Sequence, residues 1–337
     1  MTQELPPPVQ LMQMLFGLTT SRAIGVAAEL CIADRLKDGP KSAEELAAQA
    51  GVHARSLYRV LRACASVDVF SEDKEKKFSL TPLAEPLLSD TSGSLRAFAV
   101  MFTTDWQFQT WADLPYSVKT GKPAFDKVFG MPMFEYFWKN QKAGKEFNEA
   151  MTSNSAFASE AVLTSYDFST ASKVIDVGGG HGILLASALK KYPHLQGILF
   201  EVPAVAEEAK GLIDADGVAD RCERISGDFI ESVPARGDIY ILKHIIHDWN
   251  DEQCITILAN CRKGMASGGK VLVIEMVLPE GNEPSIGKLL DLEMLLFLPG
   301  CERTEAEYRA LFDKAGLELC RVLPTPSPFS IIEGASK

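Results

Sequence analysis

The sequence predicts an α/β fold, with a doubly wound sheet in the carboxyl-terminal part and a smaller, mostly helical domain before it. Three observations predict this. A short β-branched strand runs into glycines in Lys173-Val-Ile-Asp-Val-Gly-Gly-Gly-His-Gly-Ile183. Strand-like and helix-like segments alternate from there onward. A helix-turn-helix pattern with a charged tip precedes them in residues 42–81. At 337 residues and 46% hydrophobic content, the chain can bury a large core and is expected to divide into two domains.

In chain order, Leu11 to Leu36 is apolar, with Met12, Met14, Leu15, Phe16 and Leu18, and too hydrophobic to be left in water. Ser42-Ala-Glu-Glu45 is a capping box that opens a helix, Gly51 marks a turn, and Arg55 to Cys64 is a second, amphipathic helix. Phe70 and Phe78-Ser-Leu-Thr81 flank the charged tip Ser71 to Lys77, which completes a wing. Arg55, Arg59 and Arg62 offer a face resembling a nucleic-acid recognition helix, but a net charge of −11 opposes phosphate binding. A solvated helix face is the reading favoured. Residues 98–166 are dense in aromatics; at helical spacing these are first of all core, and some suit the wall of a pocket for a flat apolar molecule.

The glycine turn follows Val174, Ile175 and Val177, and glycines at 178, 180 and 182 let the backbone approach a ligand. A dinucleotide fingerprint would place its third glycine where Ile183 stands, and no Gly-Lys-Ser/Thr follows, so nicotinamide, flavin and ATP phosphates are disfavoured. Leu184 to Tyr192 reads as a helix. The next strand, Gly197 to Phe200, ends in Glu201, about twenty residues past the turn, where a carboxylate can take both hydroxyls of a ribose. Arg224 to Phe229 ends in Asp228, suited to an adenine amine, and Phe229, suited to its face. The strand Asp238 to Lys243 precedes His244-Ile-Ile-His247-Asp248-Trp249. After Lys270 to Glu275 and a helix from Thr304, the runs Leu317 to Leu323 and Phe329 to Glu333 are joined too closely for a parallel crossover, which predicts an antiparallel hairpin.

No apolar run reaches transmembrane length, and Glu4 with prolines 6 to 8 replaces a secretory leader, so a cytoplasmic location is expected with no membrane partner. Seven cysteines without a C-x-x-C pair indicate reduced thiols, with Cys31, Cys64 and Cys254 in apolar helical patterns as core residues.

Asp-Val-Gly-Gly-Gly-His-Gly, Phe-Glu-Val-Pro, Gly-Asp-Phe, Lys-His-Ile-Ile-His-Asp-Trp and Cys-Glu-Arg-Thr occur in this order. Together they resemble the S-adenosylmethionine-dependent O-methyltransferases of the plant caffeate and hydroxyindole type and their bacterial relatives, over nearly the whole chain. The resemblance implies a winged-helix dimerisation domain in residues 1–97, a helical connector contributing to the substrate pocket in 98–166, and a methyltransferase domain in 167–337. That last domain would have a Rossmann-like seven-stranded sheet with an antiparallel final strand. It further implies a homodimer, S-adenosylmethionine as cofactor with S-adenosylhomocysteine as product, and a small aromatic or polyketide-like hydroxyl as acceptor. Donor contacts would come from Gly178, Gly180, Glu201, Asp228, Phe229 and Lys243, and Met151 would pack on the acceptor ring. The ribose acid of the family is usually aspartate, so Glu201 is one methylene longer, and Cys301 stands where many members carry a basic or small residue.

Methyl transfer to a hydroxyl needs an in-line approach and removal of a proton. His247 suits the base, since a neutral imidazole near pH 7 can take it, while Asp248 would point elsewhere on a helix. Glu275 and Glu302 match the family acids that orient the ring. His244, His247 and Asp248 are residue types a metal would accept, but histidines three apart hold one ion only on helical backbone with a third ligand converging, and His244 reads as facing the core or capping the helix, so no metal is expected. A donor-binding member with another reaction, decarboxylation or hydroxylation, and a metabolite-sensing winged-helix regulator are the competing readings.

Overall fold

The computed structural model describes residues 5–91 and 93–337. The chain folds as two units, one made by residues up to Gln109 with Phe137–Asn154, the other by Thr110–Tyr136 with Ser155–Lys337. The aromatic-rich segment 98–166 is therefore shared between them rather than forming a body of its own.

In the first unit, Pro7 opens helix Pro7–Leu15, where a missing N–H does no harm. Helices Gly17–Glu29 and Ile32–Arg35 follow. The expected capping box is present: the Glu45 N–H donates to Ser42 Oγ at 3.2 Å and the Ser42 N–H to Glu45 Oε2 at 2.7 Å. That helix, Ala43–Ala50, stops at Gly51 with φ +69°, and His53 caps the next one, Ala54–Ala65, through Nδ1. Leu57, Leu61 and Cys64 bury one stripe of it against Ile32, Leu46, Phe70 and Phe78. Strands Phe70–Glu72 and Lys77–Leu80 pair antiparallel as the wing, and Arg55, Arg59 and Arg62 face solvent.

The apolar stretch from Leu11 to Leu36 divides in two. Ala27, Ala28, Ile32, Ala33 and Leu36 are core of their own unit, whereas no residue of Pro7–Leu15 is buried, and Met14, Leu15 and Phe16 are 74%, 72% and 59% exposed. Cys64 and Cys254 are buried as expected, but Cys31 is only half-buried, because it sits at a helix start in left-handed backbone, φ 50°. All seven cysteines are free. Among the described residues no helix is long and apolar enough to cross a membrane.

The second unit holds a seven-stranded sheet. Its strands are β1 (Lys173–Val177), β2 (Gln196–Glu201), β3 (Cys222–Ser226), β4 (Gly237–Lys243), β5 (Met265–Glu275), β6 (Leu317–Pro324) and β7 (Ser330–Ser336), in the spatial order β3-β2-β1-β4-β5-β7-β6. The first five are mutually parallel, and β7 runs antiparallel to both neighbours. Each face carries its own cluster of buried apolar side chains, one around Val174, Leu185 and Ile241, the other around Ile175, Tyr240 and Leu258. On β7, Glu333 accepts hydrogen bonds from the Tyr166 hydroxyl, Lys270 of β5 and Arg321 of β6. Strand order reverses between β1 and β4, which opens a crevice at their carboxyl ends.

Candidate active site

β1 leads into a turn in which Gly178, Gly180 and Gly182 have φ of +67°, +59° and +77°, a region closed to most side chains. The Gly178 N–H donates to the Phe200 carbonyl at 2.8 Å, tying the turn to β2. A Cβ on Gly178 would lie 2.5 Å from Ile245 Cδ1 and 3.4 Å from the Phe229 ring, whereas one on Gly180 would meet nothing within 4 Å. Gly178 is thus excluded from change by its neighbours, and Gly180 faces open space. Glu201, at the end of β2, reaches back: Oε2 accepts the Gly180 N–H at 3.0 Å and Oε1 accepts the Val202 N–H at 2.8 Å. Burial raises its pKa above the ordinary carboxylate range. Asp228 is exposed just beyond β3, with Oδ1 accepting the Ile230 N–H at 2.7 Å, and Phe229 meets Trp249 edge-on at 5.7 Å between centroids. Asn260 holds this loop by donating to the carbonyls of Phe229 and Ile230.

Lys243, the last residue of β4, is buried and donates to Ser155 Oγ at 2.7 Å. Burial lowers its pKa, opposed by the carboxylates of Asp176 and Glu275. Asp176, buried beneath the glycine turn, is pushed up to about 6 by the same loss of water.

The second constellation surrounds His247, on the single 3₁₀ turn Ile246–Asp248. Its Nδ1 lies 2.6 Å from Glu302 Oε1 and 3.3 Å from Glu275 Oε2. Glu275 Oε1 accepts the backbone N–H groups of Ile245, Ile246 and His247 at 3.0, 3.0 and 3.3 Å, so one oxygen holds the turn while the other faces the ring. The Glu302 N–H in turn donates to Asp291 Oδ1 at 2.8 Å.

Asp248 departs from expectation. The segment is one 3₁₀ turn that breaks into extended backbone at Trp249, not an α-helix, and the Asp248 carboxylate reaches the other side of the imidazole, 3.4 Å from Nε2. The proton affinity of His247 departs too. Burial alone would lower it, but the carboxylates of Glu275, Asp248 and Glu302 outweigh burial and raise the pKa to about 10, so the ring is cationic near neutrality instead of neutral. Burial pushes Glu275 upward and Asp248 up to about 6.

His247, Glu275 and Glu302 are also residue types that hold metals. Their spacing fits a hydrogen bond better. Two donors on one zinc at about 2.0–2.2 Å each are held more than about 3 Å apart; Nδ1 and Oε1 are at 2.6 Å. His244 does not join them: its ring packs on Phe329 at 4.3 Å, and burial, with Lys243 and His247 nearby, holds its pKa well below the usual value.

The structure thus brings Gly178, Gly180, Glu201, Asp228, Phe229 and Lys243 to the carboxyl ends of the first four strands and their loops, and His247 next to them with Glu275 and Glu302. Met151 is half-buried on helix Gln141–Ser165, in the first unit. Three supporting residues are given no role by the sequence, although Arg303 lies within the Cys-Glu-Arg-Thr motif. Gly300 packs so closely that a Cβ there would lie 1.9 Å from the His247 carbonyl oxygen. Arg303 is almost wholly buried beside the cluster, and Asn260 anchors the Phe229 loop. Arg303, a lone cation beside Glu302 ahead of a capping threonine, was the readable signal.

The family model described as an O-methyltransferase domain matches residues 111–318, and that of the O-methyltransferase dimerisation domain matches residues 12–90. The chain belongs to the O-methyltransferase family. It is 46% identical over 96% of its length to phenazine O-methyltransferase PhzM of Lysobacter antibioticus, covering 94% of that protein. It is 38% identical over 95% of its length to the mitomycin biosynthesis 6-O-methyltransferase of Streptomyces lavendulae, covering 92% of it. Among solved structures, CalO1, a methyltransferase in calicheamicin biosynthesis in an SAH-bound form, superposes with a TM-score of 0.90 at 36% identity, covering 99% of this chain and all of that one. The methyltransferase fold and the presence of a dimerisation domain, expected from the sequence, therefore hold.

Proposed function

We propose that this methyltransferase carries a methyl group from S-adenosylmethionine to a hydroxyl of a small aromatic or polyketide-like acceptor, with His247 as general base and Glu275 and Glu302 orienting it. The observation that carries the reading is the 2.6 Å contact of His247 Nδ1 with Glu302 next to a glycine turn whose Gly180 faces open space. Nδ1 is engaged by Glu302 and Glu275, and Nε2, with the Asp248 carboxylate at 3.4 Å, is the nitrogen that receives the proton when the ring is neutral. The donor supplies, when bound, an electrophilic methyl on a cationic sulfur. The residues fit it: Glu201 for the ribose hydroxyls, Asp228 for the adenine amine, Phe229 for its face, and Gly178, Gly180 and Lys243 along the rest of the molecule.

A phenolic hydroxyl titrates at about 10, and the carboxylates raise the imidazole to about 10, so neutral His247 is strong enough to take a phenolic proton, but that neutral form is scarce near neutrality and grows as the pH rises. With donor and acceptor bound, His247 Nε2 would take the hydroxyl proton as that oxygen forms its bond to the methyl carbon, the electrons of the broken carbon–sulfur bond staying with the sulfur of S-adenosylhomocysteine. The carboxylates stabilise the imidazolium thus formed.

The assembly is a homodimer in this reading, with the exposed apolar segment around Met14, Leu15 and Phe16 as interface. Met151 packs on the acceptor, the domains divide at about 97 and 166, and the enzyme works in the cytoplasm. The test is a panel of phenols with isotopically labelled donor, read by a mass gain of one methyl. Transfer to no phenol, or tight NAD binding with none of the sulfonium donor, overturns the reading.

A further inference from the structure

Three remote segments must meet for His247 to touch both of its acids: the turn after β4, the end of β5, and the loop carrying Glu302. One residue is joined to all three. Arg303 is 2% exposed. Its backbone pairs with Val277, two residues past Glu275, in a short parallel ladder. Its Nη1 donates to the carbonyls of Ile246 and Cys301, both at 3.1 Å. Its Nη2 donates to the Trp249 carbonyl at 3.1 Å and to Asp251 Oδ1 at 2.9 Å, and Nε reaches the same carboxylate at 3.3 Å. The carbonyls of Ile246 and Trp249 bracket His247 and Asp248, and the Cys301 carbonyl precedes Glu302. The fork therefore grips the backbone on both sides of the His247–Glu302 contact.

We propose that Arg303 is a positioning residue whose guanidinium sets the distance between His247 and Glu302. The inference rests on the reading of His247 as the base. A guanidinium is suited to this: it is planar, presents its donors in a fixed fork and stays charged when buried. A lysine in its place keeps the charge but cannot satisfy the three carbonyls and the Asp251 carboxylate at the same angles. The Cys254 thiol contacts the Ile246 and Trp249 carbonyls at 3.2 Å, but as a weak donor it does not replace the fork.

The groups facing His247 are Glu302 from its loop, Glu275 from β5, Asp248 from its own turn and the His244 ring at 5.7 Å. Those facing Arg303 are Asp251, Cys254, Cys301 and Tyr308. If the fork is loosened, Glu302 retreats and holds the imidazole proton less firmly. The neutral base is then available at lower pH, although it is poorly aimed.

The test compares Arg303→Lys, Arg303→Ala with and without added guanidinium chloride below denaturing concentration, Asp251→Asn and His247→Ala, all in the full-length protein. Expected for Arg303→Lys is a fall in kcat of about 10²-fold, the scale for misplacing a catalytic group by about an ångström, with unchanged KM. The acid limb of its kcat–pH profile moves to lower pH, and the deshielded His247 Nδ1 proton resonance moves upfield. Guanidinium restores part of the rate and of the resonance in Arg303→Ala. Asp251→Asn, at an exposed carboxylate, shifts both readouts the same way by less, and it carries the test if Arg303→Ala does not fold. A resonance and an acid limb that stay native in Arg303→Lys and Asp251→Asn overturn the proposal, whatever happens to the rate. Near-native turnover in His247→Ala with the resonance still sensitive to Arg303 would instead overturn the base while the positioning role stands.

Discussion

The glycine-turn edge and the His247 cluster meet at one switch point but are assembled differently. The turn from Gly178 to Gly182 is contiguous, and its partners Glu201 and Asp228 stand at or just past the ends of the next two strands. Its rules are local: positive φ, a strand end, a short reach back. The cluster joins residues separated by 28 and 55 positions in the chain, and none of its contacts follows from a local rule. An edge built locally depends on one segment at a time, whereas a cluster built from three segments depends on whatever holds the segments together.

The largest effect expected from breaking this pair of regions apart is at His247. Changing it to Ala should lower kcat by roughly 10² to 10⁴, the span of general-base catalysis, and leave donor affinity, measured by calorimetry, as it was. A parallel loss of donor binding would show that the two regions are not separable. Glu302→Gln should lose less, and adding it to His247→Ala should lose little more, because the acid acts through the ring.

Gly300→Ala comes next. A Cβ placed 1.9 Å from the His247 carbonyl oxygen must displace the loop, and a fall in kcat of about 10²-fold is expected from the resulting misplacement, again with donor affinity kept. Wild-type kcat at Gly300→Ala would mean that the loop position does not govern the base.

The native pH profile sharpens the contrast further. If His247 is the base it must be neutral, and its acids raise its pKa to about 10, so activity should climb from neutrality toward that value, by at most about tenfold per pH unit for one proton. A profile already flat at pH 7 would show that the bound state has lost the cluster's pull on the proton.

The smallest effects belong to the local edge. Glu201→Ala and Asp228→Ala should each weaken donor binding by roughly 1–3 kcal/mol, the usual loss when a hydrogen-bonding partner is left unpaired, with kcat at saturating donor little changed. Calorimetry on each variant decides it.

This division also marks what was legible beforehand. The capping box at Ser42, the turn at Gly51, the wing, the seven strands and the ordered strand ends follow from propensity and periodicity, which act over a few residues. Asp248 was misjudged because a single 3₁₀ turn carries no helical periodicity past Trp249. The proton affinity of His247 was misjudged because it depends on three carboxylates converging in the absence of water, a long-range quantity. Gly300 and Arg303 carry no role in the sequence for the same reason, since the His247 carbonyl beside Gly300 and the Ile246 and Trp249 carbonyls bound by Arg303 lie more than fifty residues away. The apolar segment from Leu11 to Leu36 read as one interface because hydrophobicity alone does not tell a side chain buried in its own unit from one left bare.

The position of β7 has a bearing on how the molecule is made. It is the last strand of the sheet to be synthesised, yet it lies between β5 and β6 and is pinned to both by Glu333. Until it inserts, β5 has an open edge and β6 has no place in the sheet. On a ribosome the five parallel strands can assemble early, but closure waits until β7 has emerged, a later step dominated by non-local pairing and exposed strand edges. Substitutions in β7 should therefore lower soluble yield more than they lower the specific activity of the molecules that fold.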